Sequence, residues 1–251
     1  EATIVNSFID ILKKIKELGY PQVSLQTNAR TLKDYDFVKQ LVELNVKTFV
    51  TSFHTTDAKE MAWLADVDEN WLGEIIQGIK NAKLLGAKVR TNTVVYNNNK
   101  DNLLDVFKFI VEELKVDHIN ISNMHPAGRA YKNFEIVCPK VTSIISTVKA
   151  GVDYIESQGI KVTVEGFPPC LLGEYTKYIV DWEGSNFKML FHNFILPNYA
   201  NFMSANTRVL GENCKKCVYK RDKLCGGIYK EYIENNGWDE LVSIPPVMER
   251  F

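Results

Sequence analysis

Apolar positions along the first two-thirds of the chain alternate between helical and strand spacing. From Thr3 to Leu18, the residues Ile4, Phe8, Ile11, Leu12 and Ile15 recur at helical intervals and Gly19 supplies the stop. Val23-Ser-Leu-Gln-Thr27 then reads as a short strand. Tyr35 to Leu44 reads as a helix burying Phe37, Val38, Leu41 and Val42, followed at once by a strand from Lys47 to Phe53. Asp68-Glu-Asn-Trp71 opens a helix through Ile75, Ile76, Ile79 and Leu84, which stops at Gly86 and leads into a strand from Lys88 to Tyr96. The unit recurs as Asn102–Leu114 with His118–Asn123, and as Val141–Ser157 with Ile160–Glu165.

Five helix-then-strand units in series predict a parallel sheet, because each helix returns the chain to the start of the next strand. No Gly-rich phosphate loop follows any strand, while polar residues gather at the strands' C-terminal ends. The expectation is an α/β fold of the TIM type, a partial or complete barrel. After Glu165 the rhythm breaks into Phe167-Pro-Pro-Cys170, an aromatic-rich stretch from Tyr175 to Phe202, a cysteine cluster and a short helix near Gly227 to Asn235. The expected organisation is a barrel domain over 1–166 and a small Cys-rich appended segment over 167–251.

The 30 basic residues nearly balance the 31 acidic ones, so the net charge of -1 gives no broad electrostatic reason to expect nucleic acid. No apolar run approaches a membrane span and no secretory segment opens the sequence, so a cytoplasmic protein without a membrane partner is expected.

Five cysteines without a secretory signal argue against a disulfide framework, more so because three of them crowd together near the end. Cys214-Lys-Lys-Cys217 lets two thiolates meet one metal centre from a single turn, and Cys225 follows shortly after. Cys170 is the natural fourth ligand, completing an all-thiolate set suited to zinc or to an iron-sulfur cluster; spacing does not separate the two. A redox pair would need no third cysteine. Cys138 stands alone before Pro139 and reads as a small buried apolar residue.

Polar groups mark the strand ends: Thr27-Asn28, Ser52-Phe-His54, Arg90-Thr-Asn92-Thr93, Asn120, Ser122, and His125-Pro-Ala-Gly128-Arg129. Such a set suits a small polar ligand at a barrel mouth, although polar residues also end strands and cap helices. His54 and His125 have no carboxylate at recognisable spacing that would mark them as metal ligands or acid–base groups.

Taken together, these residues resemble the radical S-adenosylmethionine superfamily, over most of the chain. Glu1-Ala-Thr is similar to the end of that family's Gly-Gly-Glu motif, and Gln26-Thr-Asn28 to its Thr-Asn-Gly strand, with Ala29 in place of glycine. Val89-Arg-Thr-Asn92-Thr-Val-Val95 is similar to the family's fifth strand, especially in its molybdenum-cofactor branch. Cys214-Lys-Lys-Cys217 and Cys225-Gly-Gly, with Tyr232 and Gly237 beyond, resemble its SPASM or shortened twitch domain; Tyr229 stands where a full SPASM domain would have another cysteine.

The resemblance implies a partial (β/α)6 barrel with S-adenosylmethionine bound across the strand ends. Glu1 would meet the amino group of the methionine moiety, with Thr27 and Asn28 on the adjoining strand end. Ser52, Asn92 and Thr93 would meet the ribose or carboxylate, and backbone from Met124 to Gly128 would approach the adenine. Cys170, Cys214, Cys217 and Cys225 would hold one auxiliary [4Fe-4S] cluster. The family's CxxxCxxC motif, which holds the catalytic [4Fe-4S] cluster, is expected in a segment preceding Glu1. The implied activity is reductive cleavage of S-adenosylmethionine to a 5'-deoxyadenosyl radical that abstracts hydrogen from a peptide or small-metabolite substrate, with flavodoxin or ferredoxin as electron donor. The rival reading is a non-catalytic α/β binding protein whose cysteines bind zinc as a staple.

Overall fold

A computed structural model describes residues 1–180 and 187–245. The appended-segment positions 181–186 and 246–251 lie outside the described residues. The chain divides into two compact units, one of residues 1–94, 101–121 and 150–162, the other of residues 95–100, 122–149 and 163–251.

All five expected strands form: β1 (Val23–Thr27), β2 (Val46–Ser52), β3 (Lys88–Val95), β4 (His118–Asn123) and β5 (Lys161–Glu165). They hydrogen-bond in the order β1-β2-β3-β4-β5, a parallel sheet with two edges, so the complete barrel that was one expectation does not form. The larger helices between them are α1 (Phe8–Glu17), α2 (Tyr35–Glu43), α3 (Ala58–Ala65), α4 (Trp71–Leu84) and α5 (Leu103–Phe109), the last continued by a π-helical segment, Ile110–Leu114. Two single-turn helices, α6 (Arg129–Lys132) and α7 (Phe134–Val137), precede α8 (Val141–Ser157).

Two helix expectations are corrected. The helix expected from Thr3 starts at Phe8, after a 3-10 turn over Ala2–Ile4 capped by the Glu1 side chain. Ile4 and Ile11, both expected in its apolar stripe, are exposed. The sequence gives no warning of α3, which buries none of its residues and so leaves no apolar stripe to read. Its start is nonetheless well made, because Asp57 accepts from the amides of Lys59 and Glu60 at 2.8 and 2.9 Å.

In the first unit, α4 packs against the turn that follows β1. A Cβ on Gly78 would lie 2.2 Å from the Ala29 carbonyl oxygen, so only glycine permits this approach. Asn81 fixes the same contact: its Nδ2 donates to the carbonyls of Leu32 and Lys33, both at 2.9 Å. Strand periodicity then sorts β3 between two faces. Val89, Thr91, Thr93 and Val95 are buried, whereas Arg90, Asn92 and Val94 are half-buried. The half-buried face is polar across the neighbouring strands too, since register sets Ser24 beside Thr48 and Ser52 beside Asn92.

The second unit contains α9 (Pro169–Leu172), a hairpin of β6 (Met189–Leu190) and β7 (Ile195–Leu196), α10 (Tyr199–Thr207), β8 (Arg208–Val209), α11 (Val218–Arg221), β9 (Ile228–Tyr229) and α12 (Lys230–Asn236). β6 pairs with β7 and β8 with β9, both antiparallel. The unit's ties to the first turn of α8 come from the tail: the Val141 amide donates to the Tyr232 hydroxyl at 2.9 Å, and the Thr142 amide and hydroxyl donate to Glu240 at 2.9 and 2.7 Å. Among the described residues, no helix is long and apolar enough to cross a membrane.

Candidate functional site

In the first unit the residues expected to contact a ligand fall into two groups. Glu1 sits over the C-terminal end of β1. Its Oε1 accepts from the Thr27 hydroxyl at 2.9 Å and the Thr3 hydroxyl at 2.7 Å, and its Oε2 accepts from the Asn28 amide at 2.7 Å. Partial burial works to raise the Glu1 pKa, but the bonds from Asn28, Thr3 and Thr27 outweigh it and hold the carboxyl below its usual value. A carboxylate has about four acceptor sites, and the single bond to Oε2 leaves room there for a cationic donor. Around it the chain turns sharply. The Asn28 side chain accepts from the Arg30 amide, and Ala29 takes φ +63, the backbone a glycine would favour at this point.

The second group lies along the polar face. Ser52 and Asn92 are register neighbours, and Asn120 donates to Asn92 Oδ1 at 2.7 Å. Thr93 is not brought to them. It is fully buried on the opposite face, and its hydroxyl donates to the Phe53 carbonyl at 2.7 Å. His54 Nδ1 accepts from the Val94 amide, and burial pushes the imidazole pKa down to about 4, so the ring is neutral near pH 7.

In the second unit, Met124 is half-buried and Gly128 exposed, in the turn between β4 and α6. Gly128 has φ +60, and the turn is closed by a bond from the Ala127 amide to the His125 carbonyl at 2.8 Å.

The four cysteines Cys170, Cys214, Cys217 and Cys225 all line one cavity of the second unit, together with apolar residues that include Ile228 and Trp238. Burial raises the Cys170 pKa, and the neighbouring Cys214 and Cys217 sulfurs raise it further, as expected of thiols facing a common space. Cys225 Sγ accepts from the Gly227 amide at 3.3 Å, the kind of bond that tunes iron-sulfur thiolates. Among the described residues no group of three or more His, Cys, Asp or Glu side chains is arranged to hold a single metal ion. Cys138 is elsewhere: burial, then Glu240 and Glu135, push its thiol up to about 12, so it stays protonated.

Thr3, which no motif marked, shares the Glu1 carboxylate, and Asn120, one of the expected polar strand-end residues, extends the polar row. His125 stacks on Tyr229 and faces Glu231, a carboxylate partner that local spacing could not reveal because it lies in α12.

No family model matches the chain. In sequence it is 32% identical over 131 residues to a protein of Saccharolobus islandicus described as a probable GTP 3',8-cyclase, a match covering 51% of this chain and 40% of that relative. The chain thus spans less than half the length of the relative. In structure it is similar to Streptococcus suis SuiB bound to precursor peptide SuiA, with a TM-score of 0.53 and 22% identity over 70% of this chain and 38% of that one. It is also similar to anSMEcpe with bound AdoMet and Kp18Cys peptide, with a TM-score of 0.50 and 17% identity over 89% of this chain and 72% of that one. At these identities the structural likeness shows the fold. In sequence over half its length and in fold over most of it, this chain is similar to radical S-adenosylmethionine enzymes.

Proposed function

We propose that this chain is part of a radical S-adenosylmethionine enzyme that abstracts hydrogen from a peptide or small-metabolite substrate. When bound, S-adenosylmethionine and a catalytic [4Fe-4S] cluster would supply the radical chemistry. The chain's own residues bind and orient. Glu1 offers Oε2 to the methionine ammonium while Thr27, Thr3 and the Asn28 amide hold its carboxylate in place. Ser52 and Asn92 offer hydrogen bonds to ribose or carboxylate, with Asn120 orienting the Asn92 amide. Thr93 supports this strand end through its bond to Phe53, and the backbone from Met124 to Gly128 receives the adenine.

Cys170, Cys214, Cys217 and Cys225 hold an auxiliary [4Fe-4S] cluster that accepts an electron or anchors the substrate. The flanking segment, resembling a shortened SPASM or twitch domain, presents the stacked rings of Phe191 and Phe194 in the β6–β7 hairpin as apolar surface for that substrate. A flavodoxin or ferredoxin delivers the electron. Neither a membrane nor nucleic acid takes part, and the enzyme works in the cytoplasm.

The observation that carries this reading is the Glu1 carboxylate, ionised and fixed over the end of β1 with an acceptor site to spare. The experiment is to reduce the anaerobically purified full-length protein in the presence of S-adenosylmethionine and measure 5'-deoxyadenosine. The expected result is release of 5'-deoxyadenosine, cut about tenfold or more by Glu1→Ala, the cost of one charge-assisted contact of about 1.5 kcal/mol or more. A protein that is loaded with iron and sulfide and still releases none would overturn the proposal.

A further inference from the structure

A stack of side chains ties the turn from Met124 to Gly128 to β9. The His125 imidazole lies on the Tyr229 ring with centroids 4.2 Å apart and planes 10° from parallel. His125 Nε2 and Glu231 Oε2 are 3.6 Å apart, and both atoms are buried without a hydrogen-bond partner. The guanidinium of Arg208 lies over the same Tyr229 ring at 5.4 Å. From the other end the Tyr229 hydroxyl is pressed against Gly166, where a Cβ would come within 2.7 Å. The ring therefore has little freedom, and neither has the imidazole upon it.

Tyr229 is also tied to the cysteine cavity through a short, stiff path. The Cys225 sulfur accepts from the Gly227 amide. Gly227 takes φ +98 and passes so close to Val209 that a Cβ would lie 2.2 Å from its carbonyl oxygen. β9 then begins, with Tyr229 paired to Arg208. Between Cys225 and the ring that supports His125 lie only the close approach of Gly227 to Val209 and the start of β9.

We propose that His125 is a positioning residue that links the two sites: through Tyr229 and Glu231, filling the cysteine cavity fixes the Met124–Gly128 turn in the form that receives the cofactor's adenine. The proposal rests on the cofactor assignments made under the proposed function. Linkage is reciprocal, so a filled cavity strengthens cofactor binding and a bound cofactor strengthens retention of the cluster.

The test is hydrogen exchange of the full-length protein, before and after anaerobic reconstitution with iron and sulfide, read at the peptide covering 123–130, with iron measured in each sample. In the wild type, reconstitution slows exchange there about three- to tenfold, the scale of one aromatic stack. His125→Ala and Tyr229→Leu take up as much iron and lose the slowing, whereas Tyr229→Phe, which keeps the ring, retains it. Cys217→Ser, which keeps the catalytic cluster and removes an auxiliary ligand, also loses it. Iron uptake with no slowing in the wild type, or equal slowing in His125→Ala, overturns the linkage alone. Failure of the cysteine cavity to take up iron, seen as equal iron in wild type and Cys217→Ser, overturns the cluster assignment and the linkage with it.

Discussion

Removing one oxygen, by Tyr232→Phe, tests how the tail is fastened to the rest of the second unit. The Tyr232 hydroxyl, on a ring only 1% exposed, donates to Glu240 Oε1 at 2.5 Å and accepts from the Val141 amide at 2.9 Å. Both partners serve the first turn of α8, where unpaired amides and the positive end of the helix dipole favour a carboxylate. A hydrogen bond to a charged group contributes about 1.5–3 kcal/mol, and a buried amide left without a partner costs about 1–3 kcal/mol. Because one hydroxyl serves both, the two ranges overlap rather than add, and the expected loss is about 3 kcal/mol. With a urea slope of about 2–3 kcal/mol/M, the unfolding midpoint falls by about 1 M at pH 7. Glu240→Gln keeps the shape and gives up the charge, so about 1–2 kcal/mol is expected.

The pH dependence separates these effects. Partial burial works to raise the Glu240 pKa, but the bonds from Tyr232 and Thr142 hold it below its usual value. A depressed carboxyl pKa gives stability that is full above the unfolded value and is lost as pH falls through the folded one. The gap between wild type and Glu240→Gln therefore persists down to about pH 5, narrows below the unfolded pKa of about 4.3 and closes below the folded pKa. A Tyr232→Phe midpoint within about 0.2 M of wild type, or a gap that widens on acidification, would refute the reasoning.

Other consequences are local. Gly227→Ala places a Cβ against the Val209 carbonyl at φ +98, whereas Gly86→Ala at φ +76 meets nothing within 4 Å. The second substitution is expected to cost about 1 kcal/mol from backbone conformation alone, and the first at least twice that, together with loss of bound iron; equal midpoints for the two would contradict the close approach. Asn81→Leu strands the Leu32 and Lys33 carbonyls that Asn81 serves, so thermal unfolding should show a loss of about 2–3 kcal/mol. Asn81→Asp, which offers acceptors to two acceptors, should be no better.

The parallel sheet was legible because each strand is a short apolar or β-branched run set off by a helix with its own stripe, as in Val23–Thr27 after the helix ending at Gly19. Helix α3 was not legible, since it buries nothing and its only strong local signal is the Asp57 cap. The CxxC spacing announced Cys214 and Cys217, and the structure sets Cys170 and Cys225 around the same cavity. The resemblance carries both Asn92 and Thr93 over by strand position, yet strand alternation turns them to opposite faces. The stack of His125 on Tyr229 and the bonds from Val141 and Thr142 to Tyr232 and Glu240 join residues far apart in the chain, and no local pattern encodes such contacts.

The central claim, that the four cysteines hold a second cluster in a radical S-adenosylmethionine enzyme, is tested most directly by metal content. The measurement is iron, acid-labile sulfide and zinc per chain in the full-length protein reconstituted without oxygen, for wild type and for the double variant Cys214→Ser, Cys217→Ser. Two [4Fe-4S] clusters give about eight iron and eight sulfide in the wild type, and about four of each in the variant. About one zinc bound in the wild type and lost in the variant, or the same iron in both proteins, would contradict the account.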